Sequence, residues 1–268
     1  MSKDEASGAS NYQVRALDRA LDILDAFSLA EPELTLTAIA ARVNLAKSTA
    51  TRLLSVLEER GWLERSTDTD RYRVGVRAFE LGTIYIQTTS LEAEAEPYLQ
   101  HLARTCHQTA NLGILNDGEV VHIAVVAPER PIRFSTPLGQ RESAHCTGLG
   151  KALLAELSPD ELRAVIARHG LPARTARTIT TQRDLQAELV RVRAQGYAMD
   201  DEEAYTSLRC VAAPVRDARG RVIAALSVSG LANEFTEESL PRFIAELHEA
   251  AQGLSVRLGN GVHEAAKG

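Results

Sequence analysis

The sequence predicts an α+β protein with two parts, a small helical part that ends in a β-hairpin and a larger part of hairpins and helices. Two short helical patterns are separated by a tight joint within residues 34–63. Strand-like residues flank a polar turn at residues 66–70 directly after them. Beyond residue 109, strand pairs around glycine-containing turns alternate with amphipathic helical patterns. Together these three observations predict an antiparallel sheet in the second part.

The two N-terminal helical patterns have the spacing of a helix-turn-helix. Residues 37–43 form the first pattern, residues 44–45 the joint, and residues 47–60 the second pattern. Gly61 follows, where a left-handed residue commonly ends a helix. Apolar residues of the second pattern recur at i, i+3, i+4 and i+7 along one stripe, namely Ala50, Leu53, Leu54 and Leu57.

The opposite side of this second helix is polar and lacks carboxylates. No Asp or Glu occurs in residues 34–57, whereas Lys47 and Arg52 are present. Because a surface that meets DNA phosphates excludes carboxylates, this helix is predicted to enter the major groove. A hairpin with strands at residues 62–65 and 71–76 completes a winged helix, and the alternative is a helical subdomain without a nucleic-acid role. The predicted DNA-binding residues are Lys47, Ser48, Thr49, Thr51, Arg52, Arg71 and Arg73.

Composition limits the remaining function classes. The 268 residues suffice for two domains, and the net charge of −6 argues against a chain that coats nucleic acid throughout. Residues 36–77 nevertheless carry eight basic and five acidic side chains. The three cysteines are far apart and odd in number, which predicts no disulfide framework and a reducing, cytoplasmic location. We expect no secretory signal and no membrane span.

The composition also predicts where the domains begin and end. Residues 1–11 are predicted to be a disordered tail, and residues 12–76 a winged helix-turn-helix domain. Residues 77–90 are predicted to be a linker helix, residues 91–260 the second domain, and residues 261–268 a tail. Before the helix-turn-helix, an apolar stripe predicts a helix that ends near residue 30 and packs beneath it, through Val14, Leu17, Leu21 and Leu24.

The second domain is predicted to contain two hairpins with helices between and after them. Strands are predicted at residues 110–115, 120–127, 211–215 and 221–229, and the first pair turns at Asp117-Gly118. Helices are predicted at residues 91–108, 147–157, 182–194 and 236–258, and from residue 158 onward. This layout resembles GAF and PAS sensor domains, which hold small ligands between a sheet and its loops.

Two groups of small residues in this domain indicate a ligand site. Gly148 and Gly150 precede a helix, whose first N–H groups favour an anion, and the alternative is a plain turn into the helix. Ser227 and Ser229 share one strand face at period two, so both hydroxyls can point into one cavity. The alternative is that the serines face solvent, because alternation alone does not say which face is inside.

Four stretches together resemble the isocitrate lyase regulator (IclR) family of bacterial transcription factors, over nearly the whole chain. They are Lys-Ser-Thr with Arg-Leu-Leu in residues 47–54, Gly-Leu-Gly-Lys-Ala at 148–152, an acidic run at 200–203 followed by Cys-Val-Ala-Ala-Pro-Val at 210–215, and Ala-Leu-Ser-Val-Ser-Gly at 225–230. The resemblance implies a winged-helix DNA reader, a GAF-like effector domain, and homodimers that commonly pair into tetramers. It also implies a small organic or aromatic acid as the effector.

The same motifs assign residues to the effector pocket. By resemblance the effector-binding residues are Phe134, Gly148, Leu149, Asp200, Cys210, Ser227 and Ser229. In this comparison Asp200 and Cys210 lie around an acidic loop. The sequence departs from the family at Ser207, where a glycine is usual, so the resemblance does not predict the backbone conformation of that loop. Leu149, where small residues are also common, is expected to narrow the pocket.

Two other classes of function remain as alternatives. The pair His145-Cys146 suggests a thiol enzyme, although neighbours in sequence rarely have the required geometry. A metal site is the second alternative, because metal occurs in some members of the family and because several ligand types could converge, namely Cys146, Cys210, His122, His145, Asp200 and Asp201. The favoured prediction is a regulator that is not an enzyme, needs no cofactor and binds operator DNA, a small carboxylate and further copies of itself.

Overall fold

The computed structural model describes residues 14–88, 91–131, 133–134 and 136–265. The chain forms two compact units, residues 1–89 and residues 90–268. The tail predicted at residues 1–11 lies outside the described residues, as do the last three residues of the tail predicted at the C-terminus.

The first unit is a winged helix-turn-helix, as the sequence predicts. Its helices are α1 (Arg15–Asp25), α2 (Leu36–Arg42), α3 (Lys47–Glu59) and α4 (Val76–Thr88), and its strands are β1 (Glu33–Thr35), β2 (Leu63–Arg65) and β3 (Arg71–Val74). The strands form an antiparallel sheet in the order β1-β3-β2. Strand β1 was not predicted, because its three residues are too few to show an alternation of apolar and polar side chains. It forms by pairing with β3, where Leu34 lies opposite Tyr72.

Two left-handed residues shape the helix-turn-helix. Asn44 has φ of 51° in the joint between α2 and α3, and Gly61 has φ of 75° after α3. Both residue types tolerate this conformation, so the chain can reverse at each point. The turns direct Ile39 and Leu54 into one fully buried core.

The predicted packing face of the first helix is confirmed only at Leu24, which packs against the core of this unit. Helix α1 ends at Asp25 rather than near residue 30, and Val14, Leu17 and Leu21 are 51%, 57% and 51% exposed. Ile23 is instead fully buried, because α1 meets the core of this unit only near its C-terminal end.

The second unit is built on a six-stranded antiparallel sheet. Its strands are β4 (Thr109–Asn116), β5 (Glu119–Val126), β6 (Arg141–Ser143), β7 (Ala198–Asp201), β8 (Leu208–Arg216) and β9 (Val222–Leu231), and their order is β6-β5-β4-β9-β8-β7. Its helices are α5 (Leu91–Cys106), α6 (Gly148–Leu154), α7 (Pro159–His169), α8 (Gln182–Gln195) and α9 (Ser239–Ala265). The two predicted hairpins, β4-β5 and β8-β9, are confirmed.

Strands β6 and β7 were not predicted, and β7 corrects the assignment of the acidic run. Asp200 and Asp201 lie in β7 rather than in a loop, with Asp200 opposite Cys210 on β8. The strand alternates between buried Ala198 and Asp200 and partly exposed neighbours. A buried aspartate at an inward position conceals this alternation from any hydropathy pattern.

Helix boundaries differ from the predictions at two places. Helix α6 covers Gly148–Leu154, which is shorter than the predicted 147–157. Helix α9 begins at Ser239 rather than at Thr236 and continues to Ala265, past the predicted end near residue 258. In the described part of the chain, no helix is both long and apolar enough to cross a membrane.

The two faces of the large sheet pack against different helices. One face packs against α5 and α9, and Leu226 and Val228 of β9 belong to that core. The other face packs against α6 and α8 and includes Ala225 of the same strand. By alternation, Ser227 and Ser229 face the side of α6, and they are 0% and 9% exposed. The alternative of solvent-facing serines is therefore wrong.

Candidate functional site

A row of polar side chains crosses four strands on the face toward α6. Asp200 on β7 pairs with Cys210 on β8, Cys210 pairs with Ser229 on β9, and Ser229 pairs with Thr109 on β4. Directly opposite residues of antiparallel strands point to the same face and lie side by side. Strand register thus brings together groups that are up to 120 residues apart in sequence.

A second polar pair lies beside this row. Ser227 is opposite Asn111 on β4, and the Asn111 side chain is fully buried. Asn111 Nδ2 donates to Ser227 Oγ at 3.2 Å and to Ser229 Oγ at 3.1 Å. Each hydroxyl accepts from Asn111 and so keeps its own proton to donate, with the Cys210 sulfur as one partner within reach of both.

Helix α6 covers the row at very short range. A Cβ atom at Gly148 would lie 2.9 Å from Cys210 Sγ, and one at Gly150 would lie 2.2 Å from the Ala144 carbonyl oxygen. Close packing therefore accounts for both glycines. Thr147 caps the helix, with its Oγ1 accepting from Gly150 N at 3.2 Å. The amides of Gly148 and Leu149 precede any helical partner and remain as donors.

The space between the row and α6 is a cavity of about 30 Å³, which we call the inner cavity. Its walls include every residue predicted to bind the effector, namely Phe134, Gly148, Leu149, Asp200, Cys210, Ser227 and Ser229. A cavity of this volume has room for about one or two water molecules. An organic acid would fit only after the walls move apart.

Burial dominates the electrostatics of the inner cavity. It raises the pKa of Asp200 to about 7, although Asp200 Oδ1 accepts from the amides of Glu203 at 2.7 Å and Ala204 at 3.3 Å. Nearby Lys151 is fully buried and forms ion pairs with Glu203 and, at 3.5 Å, with Glu188. Burial also raises the pKa of Glu203. The site is therefore rich in carboxyl groups, and a proton on Asp200 reduces its negative charge near neutral pH.

The residues that suggested an enzyme or a metal site have other surroundings. Burial raises the pKa of the Cys146 and Cys210 thiols to about 12, so neither is a thiolate near neutral pH. His145 Nε2 lies 3.1 Å from the Pro172 carbonyl oxygen. Among the described residues, no group of three or more His, Cys, Asp or Glu side chains could hold a metal ion.

Among the wall residues that the sequence did not indicate as part of the effector site, three are in contact with one another or with Phe134. His122 Nε2 lies 2.9 Å from Glu142 Oε2, and the Tyr205 hydroxyl donates to Glu142 Oε1 at 3.1 Å. The Tyr205 ring also lies 6.2 Å from the Phe134 ring, centroid to centroid. These side chains come from β5, β6 and the segment after β7, so no local spacing in the sequence marks them.

The candidate DNA-binding surface is the outward face of α3. Lys47, Ser48, Thr51 and Arg52 are exposed and Thr49 is partly exposed. Among the described residues, neither Lys47 nor Arg52 has a carboxylate within ion-pair distance. Both cations are thus available to phosphates or bases.

The arginines of the wing are less free. Arg73 forms an ion pair with Glu64 at 2.8 Å, and Arg71 Nη1 donates to the Glu33 carbonyl oxygen at 3.4 Å. Both side chains are exposed. A phosphate would compete with Glu64 for Arg73, so α3 carries the stronger candidates.

Comparison with known proteins assigns the family. Residues 16–67 match the model of the IclR helix-turn-helix domain, and residues 83–256 match that of the bacterial transcriptional regulator IclR C-terminal domain. The chain belongs to the IclR family of bacterial transcriptional regulators. As a member of this family it combines a DNA-binding helix-turn-helix with a C-terminal effector-binding domain.

Individual relatives agree along nearly their whole length. The chain is 39% identical over 242 residues to the HTH-type transcriptional regulator BhcR of Paracoccus denitrificans, covering 90% of this chain and 86% of BhcR. It is 31% identical over 256 residues to the transcriptional repressor IclR of Escherichia coli, covering 95% and 93%. A solved IclR homolog from Microbacterium hydrocarbonoxydans, complexed with 4-hydroxybenzoate, has a TM-score of 0.78 at 26% identity, covering 91% and 98%.

The pKa of Asp200 leads to a prediction about stability. Because the pKa rises from 3.8 to about 7 on folding, the folded state holds this proton more tightly than the unfolded state. The contribution to the free energy of unfolding is full below pH 3.8 and is lost as pH rises through about 7. Relative to Asp200→Asn, the wild type should lose at most about 1.4 kcal/mol per pH unit in urea unfolding across that window.

The Asn variant is a close control, because its side-chain oxygen can still accept from the two amides. Every other ionisable group is present in both proteins, so the difference between the two curves reports Asp200 together with its coupling to Glu203. A difference in stability that stays constant between pH 4 and pH 8 would contradict the raised pKa.

Proposed function

We propose that this IclR-family regulator binds a small carboxylate in the inner cavity and that binding changes its affinity for operator DNA. The observation that carries the proposal is the polar row across β7, β8, β9 and β4, which lies directly beneath the first turn of α6. Packing against α6 alone would not require polar side chains at these positions, because burying a polar group costs free energy unless it forms hydrogen bonds.

The carboxylate would lie between α6 and the two serines. The amides of Gly148 and Leu149 donate from above, and the hydroxyls of Ser227 and Ser229 donate from below. Helix α6 has only 7 residues, so these hydrogen bonds matter more than a helix dipole. Asp200 would repel the ligand when ionised, and its proton near neutral pH removes that repulsion and provides one more donor.

The walls of the inner cavity favour a ligand with an apolar or aromatic body. Phe134, Tyr205 and Leu149 provide rings and a branched side chain around the donors. The similar homolog complexed with 4-hydroxybenzoate supports an aromatic acid as the effector. We rank a one-ring acid slightly above a keto acid of two or three carbons.

The DNA-binding part would act as a symmetric dimer or a pair of dimers. One α3 helix covers only a few base pairs, so useful specificity requires two half-sites. Two helices present unpartnered apolar side chains that could join subunits: Leu17 and Leu21 on α1 are more than half exposed, as are Phe79 and Leu81 on α4. We assign residues 12–76 to DNA binding, residues 77–90 to the linker and residues 91–260 to the effector domain.

Effector binding would favour one arrangement of the linker helices and hence one spacing of the DNA-binding domains. The ligand can shift that equilibrium only by the difference between its affinities for the two arrangements. Widening of the inner cavity is the step that could differ between them, because the ligand requires it and DNA does not.

The first prediction concerns α3. Arg52→Ala and Lys47→Ala should each weaken operator binding without unfolding the domain, because both side chains are exposed and lack ion-pair partners among the described residues. A base contact should cost about 1–3 kcal/mol and alter sequence preference, whereas a phosphate contact should weaken all sequences and reduce the salt dependence. Fluorescence anisotropy with operator and scrambled duplexes at several salt concentrations separates the two cases.

Arg183→Ala is the control with the same change of charge. Its side chain lies on α8 and is 92% exposed. Operator affinity that is equal in wild type, Arg52→Ala and Lys47→Ala would show that α3 does not read DNA.

The second prediction concerns the serines. Replacing Ser227 and Ser229 together by alanine should weaken effector binding by at least tenfold, because two hydrogen bonds to a charged group are lost. Operator binding without effector should stay unchanged. Calorimetry with a panel of organic and aromatic acids, 4-hydroxybenzoate included, measures the affinity.

Ser48→Ala is the complementary variant, since it lies on α3 and should affect operator binding while leaving effector affinity intact. An acid that releases operator DNA and binds the double serine variant as tightly as wild type would place the effector site elsewhere.

A further inference from the structure

A larger cavity adjoins the inner cavity and shares one wall with it. This neighbour, which we call the outer chamber, has a volume of about 210 Å³. Four residues line both spaces, namely Glu142, Thr147, Ala204 and Tyr205. These residues are therefore the partition between the two. If the partition opened, the inner cavity would gain the volume that an organic acid lacks at present.

Thr147 and Ala204 are held from outside the partition, by Gly150 N and by Asp200 Oδ1. Among the described residues, one hydrogen bond joins two side chains of the partition to each other. The Tyr205 hydroxyl donates to Glu142 Oε1 at 3.1 Å. Glu142 is fixed from behind, since its Oε2 lies 2.9 Å from His122 Nε2 and its side chain is only 11% exposed. Tyr205, in contrast, is 44% exposed. Of the two partners, Tyr205 is the one that can swing away.

The segment that carries Tyr205 has a fixed end and a strained end. Glu203 is anchored by buried Lys151, and its carbonyl oxygen accepts from Thr178 Oγ1 at 2.7 Å. After Tyr205, Ser207 has φ of 66°, a conformation that side-chain-bearing residues rarely adopt. The backbone on this side is also held, since the Tyr205 carbonyl oxygen accepts from Leu208 N at 3.3 Å and Ser207 N donates to Glu202 Oε2 at 2.9 Å. Opening therefore requires only a rotation of the Tyr205 side chain.

The outer chamber has one arginine whose charge is not compensated. Arg141 is held by Glu119 at 3.3 Å. Arg174 is exposed and its Nη2 donates to Ser143 Oγ at 3.0 Å, with no carboxylate within ion-pair distance among the described residues. Its positive charge acts on both Cys146 and Tyr205, which places it next to the partition.

We propose that the outer chamber is the access port of the effector site, where Arg174 attracts an anionic ligand and the Tyr205–Glu142 contact opens to admit it. Glu142 lies in the partition itself, and Arg209, which also lines the inner cavity, is paired with Asp201, so an anion that enters past Glu142 would be repelled without a further cation. The positive charge of Arg174 opposes this repulsion in the outer chamber and favours the entry of anionic ligands. The proposal rests on the proposed effector site and adds the route into it.

Thiol labelling tests the route without any effector. Cys146 lines the outer chamber, Cys210 lines the inner cavity, and Cys106 is buried in the core on the opposite face of the sheet. The probes are 2-sulfonatoethyl methanethiosulfonate, an anion, and 2-(trimethylammonio)ethyl methanethiosulfonate, a cation. The small thiolate fraction of each cysteine attacks the reagent sulfur, a mixed disulfide forms and methanesulfinate leaves. Peptide mass spectrometry gives the rate at each cysteine.

Three variants separate the attraction of anions by Arg174 from the opening of the Tyr205–Glu142 contact. Arg174→Gln should lower the ratio of the anionic to the cationic labelling rate at Cys146 and Cys210 by about fivefold, the factor for one unit charge about 4 Å away in water. The ratio is used because the charge of Arg174 also lowers the pKa of the Cys146 thiol, so its loss slows both reagents there alike. Tyr205→Phe, which removes only an exposed hydroxyl, should speed labelling of Cys210 by both reagents and leave Cys146 little changed. Arg183→Gln should change nothing, and an unchanged Cys106 rate shows that no variant labels through global unfolding.

Several outcomes would overturn the access port. They are a Cys210 rate that Tyr205→Phe does not raise, Cys210 that stays unlabelled in both proteins, and an Arg174→Gln effect that is equal for the two reagents. Because no effector is used, these results are independent of the calorimetry on the serine variants. The port can thus fail while the effector site stands, and the reverse also holds.

Discussion

The absence of a side chain at Gly148 allows α6 to lie directly on strand β8, and the arrangement of the whole site depends on that close approach. A methyl group there would meet Cys210 Sγ at 2.9 Å, so a larger residue would require the thiol or the helix to shift. With the helix in place, the amides of its first turn come within reach of the serines on β9. The same close approach makes the inner cavity small, so a ligand can enter only if part of the wall opens.

Buried charge fixes the surroundings of this contact. Lys151 on α6 is fully buried and joins Glu188 on α8 to Glu203 in the segment after β7. Such pairs contribute little net stability, but removing one partner leaves a buried charge uncompensated. The pairing therefore ties three elements to one position. The proposed opening is confined to the side chain of Tyr205, which lies beyond this anchor.

The sequence predicted the elements better than their mutual contacts. Period-two spacing put Ser227 and Ser229 on one face, and both motif glycines lie at the start of α6, because these signals are local. The strand that holds Asp200 was missed, since a buried carboxylate breaks the hydropathy pattern. Tyr205, Glu142 and Arg174 come together only through tertiary packing, and no spacing marks them. On α1, Leu24 packs against the core but Leu17 and Leu21 of the same apolar stripe are exposed, and the pattern alone does not show how far along the helix the core extends.

Hydrogen–deuterium exchange tests the central claim most directly, with an acid first shown to release operator DNA. The ligand should slow exchange in the first turn of α6, in β9 around Ser227 and Ser229, and in residues 200–205, because it orders the walls of the inner cavity from three sides. The linker helix should change as well. Protection confined to other parts of the second unit, with α6 and β9 unchanged, would contradict the account.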